Sequence, residues 1–202
     1  MAREKQWVLA SASPRRGEIL RRLGLRFQID PSNEPEPSRR FPETPSRYVI
    51  RTADFKAQSV APRHPDSLIV AADTIVVIDD LILGKPSDRA DARSMLRRLS
   101  GSRHEVLTGL CLFDTEEQRK WTSCCRSRVH FRRMSASDIE WYLDTKEYKD
   151  KAGAYGIQER AALFIDHIEG CYFNIVGFPV AAFAALCRRG KIDLRQAIAK
   201  DM

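Results

Sequence analysis

Trp7-Val8-Leu9-Ala10-Ser11-Ala12-Ser13-Pro14-Arg15-Arg16-Gly17-Glu18-Ile19-Leu20 decides how this 202-residue chain is read. Residues 7–10 are a short apolar run, which predicts a buried strand. Pro14 presets a helical φ and lacks only an N–H that a first helical turn leaves unpaired. Ser13 stands where an N-cap is expected, and Ile19, Leu20 and Leu23 follow at helical spacing. The product is a strand, a tight serine loop and a helix N-terminus, whose amides and dipole favour an anion. Arg15 and Arg16 fall in the first turn, where that dipole disfavours cations, so an anion that compensates them is one reading. A solvated arginine pair on an ordinary helix is the other, and this segment alone does not choose between them.

Working outward, residues 68–78 are apolar on both faces and predict a central strand. Asp73 interrupts it. A buried carboxylate without a partner is costly, so Asp73 is expected to be paired, hydrogen-bonded or metal-bound, unless a bulge ties it to a backbone turn. Between these strands, residues 26–30 read as a second strand, and residues 31–38 as a stiff proline-rich loop carrying Glu34 and Glu36. Thr44-Pro45 opens a helix to about Val60, with Val49, Ala53, Ala57 and Val60 as its apolar stripe and Lys56 beside that stripe. After the central strand, Asp79-Asp80 makes a turn and residues 81–83 return as a hairpin partner. Gly84-Lys85-Pro86 then holds a lysine at a fixed bend. Ser87 is read as the cap of a helix ended by Ser100-Gly101.

Residues 105–113 and 121–133 read as a long hairpin, and Ser137 with Asp138 as the start of a short helix. Asp150-Lys151-Ala152-Gly153-Ala154-Tyr155-Gly156-Ile157-Gln158 surrounds one tyrosine with small residues that permit close backbone approach. Residues 163–168 read as a strand, and residues 174–179 lead into a last helix through Leu186.

The composition is that of a globular protein, 43% hydrophobic and 30% charged, and its length suits a single domain over 1–202. No apolar run approaches a membrane span. Residues 1–5 lead straight toward a strand, so no signal peptide is expected. Five cysteines without CxxC clusters point to thiols in a reducing compartment, with Cys124 and Cys125 as small buried residues. The net charge of +7 is dispersed and not interleaved with aromatics, which argues for attraction to phosphates rather than specific nucleic-acid binding.

Residues 11–16, Ala72-Asp73-Thr74, Gly84-Lys85-Pro86, Leu99-Ser100-Gly101, residues 150–158 and residues 174–179 together resemble the Maf family of nucleoside triphosphate pyrophosphatases. The resemblance runs from about Trp7 to Cys187 with the motifs in order. It implies an α/β fold like that of the inosine triphosphate pyrophosphatases, a twisted mixed sheet with flanking helices and a cleft between two lobes. It implies Asp73, Lys56 and Lys85 as catalytic residues, and Ser11, Arg15, Arg16, Thr74 and Gln158 as substrate-binding residues. Glu36 joins Asp73 in holding Mg²⁺ or Mn²⁺, with Glu34 the alternative loop carboxylate. The subgroup closest by Ala72-Asp73-Thr74 and residues 155–158 is the one associated with dTTP and UTP. A cytoplasmic homodimer that also clears non-standard nucleotides is implied as well.

Glu159-Arg160 stands where small residues with a glycine are expected, Cys171 replaces a serine and Phe178 a leucine. These departures touch the base side more than the phosphate side. Two other classes remain beside the enzyme. A nucleic-acid-binding module would use the charge but has no need of Asp73. A non-catalytic regulator of septum formation is the other.

Overall fold

Gln6–Leu9 forms strand β1 and Pro14–Arg22 helix α1, as the opening stretch predicts. The computed structural model describes residues 5–40 and 42–198, so the expectation for residues 1–4 lies outside the described residues. Ser13 occupies the N-cap position, but its side chain makes no capping bond. The second strand, β2, shrinks to the exposed pair Gln28–Ile29. Helix α2, Pro45–Val60, starts at Thr44, whose hydroxyl accepts from Arg47 N. Strand β3, Ser67–Ile78, is followed by β4, Leu81–Leu83, with Asp79 and Asp80 both at positive φ in the turn. Helix α3 is Arg89–Leu99, strand β5 Arg103–Asp114 and strand β6 Arg119–Phe131. Helix α4, Ala136–Asp144, precedes strand β7, Ile165–Glu169. Short helix α5, Tyr172–Val176, α6, Val180–Arg189, and α7, Leu194–Ala197, complete the chain.

The strands form one mixed sheet in the order β2-β1-β3-β5-β6-β7, with β4 on β3. The β1–β2 and β1–β3 pairs are parallel, and the β3–β4 and β6–β7 pairs antiparallel. The expected mixed sheet with flanking helices is therefore present, and β3 is interior, buried along nearly its whole length.

Several caps move from their expected places, each because a nearby side chain makes a better bond. Asp88, not Ser87, caps α3 by accepting from Asp91 N, while Ser87 bonds the Asp91 carboxylate. Ser135, not Ser137, caps α4, because Asp138 bonds back to its N–H and closes a capping box. The strand expected from residue 163 begins at Ile165, after a 3₁₀ turn over Arg160–Phe164. All five cysteines are free thiols, but Cys124 and Cys125 are half-buried rather than buried.

The chain divides into two compact units. The first comprises the chain up to Asp73, Thr108–Cys125 and the chain from Gly177; the second comprises Thr74–Leu107 and Arg126–Val176. Val8, Ala53, Ala57, Val60, Ile69, Ala71 and Phe113 form the core of the first. Small residues bring α2 close to the sheet: a Cβ at Gly109 would lie 2.2 Å from the Val49 carbonyl oxygen. Any side chain there would push α2 off β5. The second unit packs Val76, Leu96, Leu99, Val129, Phe131, Tyr142, Tyr155 and Phe164 together.

Candidate active site

In the first unit, side chains alternate along β3, so Asp73 shares a face with Ile69 and Ala71. Both of those pack with Ala53 and Ala57 of α2. Lys56 precedes Ala57, so its ammonium reaches the same face. Lys56 Nζ lies 2.7 Å from Asp73 Oδ1 and 2.7 Å from Glu36 Oε1. The Asp73 and Lys56 side chains are 9% and 12% exposed, whereas Glu36 is 56% exposed. The buried Asp73 is thus ion-paired rather than tied to a bulge.

Glu36 is brought there by a loop fastened along α2 and the 3₁₀ turn Ala61–Arg63 that follows it. Asp30 receives Arg63 Nε at 2.9 Å, Ser32 accepts from Ser59 Oγ at 2.8 Å, and Glu36 meets Lys56. Positions 56 and 59 fall on one face of α2. At the far end of the loop, Arg51 Nε donates to Glu43 at 2.7 Å and holds the Glu43 pKa down at about 2. Glu34 takes no part in the contact with Lys56; its amide turns to Ser32 Oγ at 3.4 Å.

The serine loop meets the same group of charges through Arg16. Arg16 Nη1 donates to Ser11 Oγ at 2.9 Å, and Ser13 N donates to that oxygen at 3.2 Å. Arg16 Nε donates to the Gly177 carbonyl at 2.9 Å. Burial lowers the Arg16 pKa, and the charges of Asp73 and Glu36 counter it. Arg16 is therefore held from both sides with Asp73 in electrostatic range. Arg15 beside it is half-buried. The first intrahelical bond of α1 runs from Gly17 N to Ser13 O, so the first-turn amides precede it.

Two participants were not singled out from sequence. Tyr48 lies two helical turns before Lys56; burial, with the charges of Asp73 and Glu36, raises its pKa. Its place on the Lys56 stripe, two turns earlier, was the available signal. Gly177 belongs to residues 174–179, which carry part of the family resemblance but were given no role for the glycine, and its carbonyl turns out to hold Arg16.

Thr74, Lys85 and Gln158 belong to the second unit. Thr74 follows Asp73 on β3 and faces the opposite side of the sheet. Lys85 and Gln158 are exposed. The two motifs that carry them are joined, since Gly153 N donates to the Gly84 carbonyl at 3.0 Å. Gly153 sits at φ 70°, and a Cβ there would press on Val76 at 3.0 Å. Only a glycine allows this turn to lie against β3. Tyr155 is anchored by its hydroxyl, 2.7 Å from His104 Nε2. The unexpected Glu159 and Arg160 are both used structurally. Glu159 pairs with the nearly buried Lys151 at 3.0 Å, and Arg160 pairs with Glu147.

The donors around the Lys56 ammonium suit a hard divalent cation: two carboxylates converge on one cationic point. Hydrogen-bond donors and cations flanking that point suit an oxyanion such as a phosphate.

A family model described as Maf-like protein matches residues 6–190. A dTTP/UTP pyrophosphatase from Clostridioides difficile (strain 630) is 47% identical over 182 residues, covering 90% of this chain and 93% of its own. A dTTP/UTP pyrophosphatase from Syntrophomonas wolfei subsp. wolfei is 44% identical over 189 residues, covering 93% and 99%. Among solved structures, a HAM1 protein from Coxiella burnetii matches with a TM-score of 0.45 at 17% identity, covering 80% of this chain and 92% of that one.

Proposed function

The chain belongs to the Maf-like protein family, and on that premise we propose that it hydrolyses nucleoside triphosphates, dTTP and UTP best, to the nucleoside monophosphate and pyrophosphate. The single observation that carries the reading is the buried Asp73 on an interior strand, paired with Lys56, which also meets Glu36.

Splitting the α–β anhydride requires an oriented water, a group to take its proton, and positive charge where the phosphoryl oxygens gain negative charge. Asp73 is the group that accepts the proton. Lys56 and Arg16 supply charge around it, and the hydroxyl of Ser11 holds Arg16 in place. Lys85 adds a further cation to the polyphosphate. Glu36 and Asp73 are the residues that would hold Mg²⁺ or Mn²⁺. When bound, the metal offsets charge on the phosphate oxygens and lowers the pKa of water. Lys56 meets both Glu36 and Asp73, so it aims the two carboxylates at one point.

For the base, Gln158 offers an amide N–H and C=O on one rigid plane, matching a carbonyl and the adjacent N–H of thymine or uracil. The family resemblance assigns Arg15 and Thr74 to the substrate as well. Cytosine reverses one donor and one acceptor, which leaves polar groups unpaired. The same reading carries a cytoplasmic location and a homodimer, the latter checked by light scattering.

The test is kcat/KM across dTTP, UTP, CTP, GTP and ATP. The reading expects dTTP and UTP to lead, and expects Gln158→Ala to shrink the preference for dTTP over CTP by roughly fivefold to tenfold, the value of one or two hydrogen bonds. A clear preference for GTP or ATP overturns the base assignment.

A further inference from the structure

His130 on β6 and His167 on β7 are direct cross-strand partners. Their rings stack with centroids 3.8 Å apart and planes within 17°. Glu169, two residues on and therefore on the same face as His167, reaches His130 Nε2 through Oε1 at 2.8 Å. One donor atom from each of the three lies within 4.8 Å of the others. All three residues belong to the second unit, and none appears in the chemistry above.

The surroundings match those of a metal site beyond its direct ligands. His167 Nδ1 faces Asp166 Oδ2 at 3.3 Å, which leaves Nε2 of that ring for another partner. A carboxylate on the far ring nitrogen fixes the tautomer and raises the basicity of the other nitrogen. Arg128 Nη1 donates to Glu169 Oε2 at 3.1 Å, so the carboxylate is held by one oxygen and presents the other. Arg128 in turn lies 3.6 Å from Glu105 through Nε. Two imidazoles and one carboxylate make a borderline-soft set that suits Zn²⁺, Ni²⁺ or Cu²⁺ rather than the Mg²⁺ preferred by oxygen-only sites. Metal bonds of about 2.0–2.2 Å require the three donor atoms to draw closer than 4.8 Å. At the surface this needs only small side-chain rotations, because His167 and Glu169 are 55% and 46% exposed.

We propose that His130, His167 and Glu169 form a surface site for a divalent transition metal, separate from the carboxylates that serve hydrolysis. Three protein ligands leave at least one coordination position open, for water or for a donor from a second molecule.

The test is calorimetric titration of the metal-stripped protein with ZnCl₂. The wild-type protein and Asp73→Asn are expected to show a one-to-one binding event that His130→Ala and His167→Ala both lose. Asp166→Asn is expected to keep the event with affinity weakened about 10- to 100-fold, the scale for an outer-shell carboxylate. Hydrolysis with Mg²⁺ is expected at the wild-type rate in His130→Ala and His167→Ala, which also shows that these variants fold. Zinc binding that survives His167→Ala, that disappears in Asp73→Asn, or that is absent from the wild-type protein overturns the site.

Discussion

The two units present their candidate site side chains in opposite ways. In the first, Asp73 is buried and Lys56 and Arg16 are partly so, and the two cations are held by fixed partners: Lys56 by two carboxylates, Arg16 by Ser11 and Gly177. In the second, Lys85 and Gln158 stand in solvent without a side-chain hydrogen bond or ion pair among the described residues. Among its buried polar side chains, His104 and Tyr155 form an uncharged pair. Burial pushes the His104 pKa down to about 4 and the Tyr155 hydroxyl pKa well up. A preassembled charge cluster is rigid, and its members depend on one another. Exposed side chains on a tightly built turn can be changed one at a time.

The largest expected effect comes from the cluster. Asp73→Asn keeps the shape and removes the charge, and hydrolysis should fall by at least ~10²-fold while the fold persists. Retained activity would break the contrast at its strongest point. Next in size is an effect of the neutral pair on stability. The folded-state pKa of His104 lies below the ordinary value near 6.5, so the unfolded chain binds the extra proton first as pH falls. Stability is therefore full above about 6.5 and drains toward 4, by about 3 kcal/mol over the whole window. Urea midpoints between pH 6.5 and 5 read this above the range in which a carboxylate such as Glu43, held near 2, titrates. His104→Gln should flatten that slope, and an unchanged slope would show that other groups produce it.

Lys85→Ala should lower kcat/KM about 10- to 100-fold, the value of a charge-assisted hydrogen bond. Its urea stability should shift by less than about 0.5 kcal/mol, as for an exposed side chain without a partner. A large loss of stability would place Lys85 with the buried cluster instead. The finest distinction lies within the loop. Glu36→Gln should reduce activity by roughly tenfold, the low end for a metal-supporting carboxylate, and Glu34→Gln should leave it within about twofold. The reverse outcome would assign the site carboxylate to Glu34.

Much of this was legible in the sequence because it rested on local rules. The Trp7–Leu20 stretch, the interior strand around Asp73 and the proline-led helix bearing Lys56 each announce themselves by periodicity and cap residues. What escaped depends on partners distant in sequence. Nothing in residues 11–16 says that Ser11 rather than Ser13 would use its hydroxyl, because the deciding donor is Arg16 and the Arg16 guanidinium is itself fixed by Gly177. The choice between Glu34 and Glu36 is a matter of loop register. That register is set where Ser32 meets Ser59, 27 residues away in the chain. The shifted caps at Asp88 and Ser135 have the same origin, a competing acceptor that a cap rule applied to one residue does not weigh. Gly109 lay unremarked inside an apolar strand, yet the close approach of α2 that brings Lys56 to Asp73 depends on it.

The most direct measurement of the central claim is the identity of the products. With dTTP and Mg²⁺, phosphorus NMR of the reaction mixture should show dTMP and pyrophosphate appearing in equal amounts, and neither should appear at a comparable rate with Asp73→Asn. Formation of dTDP with inorganic phosphate, or equal turnover by the Asp73→Asn protein, would contradict the account.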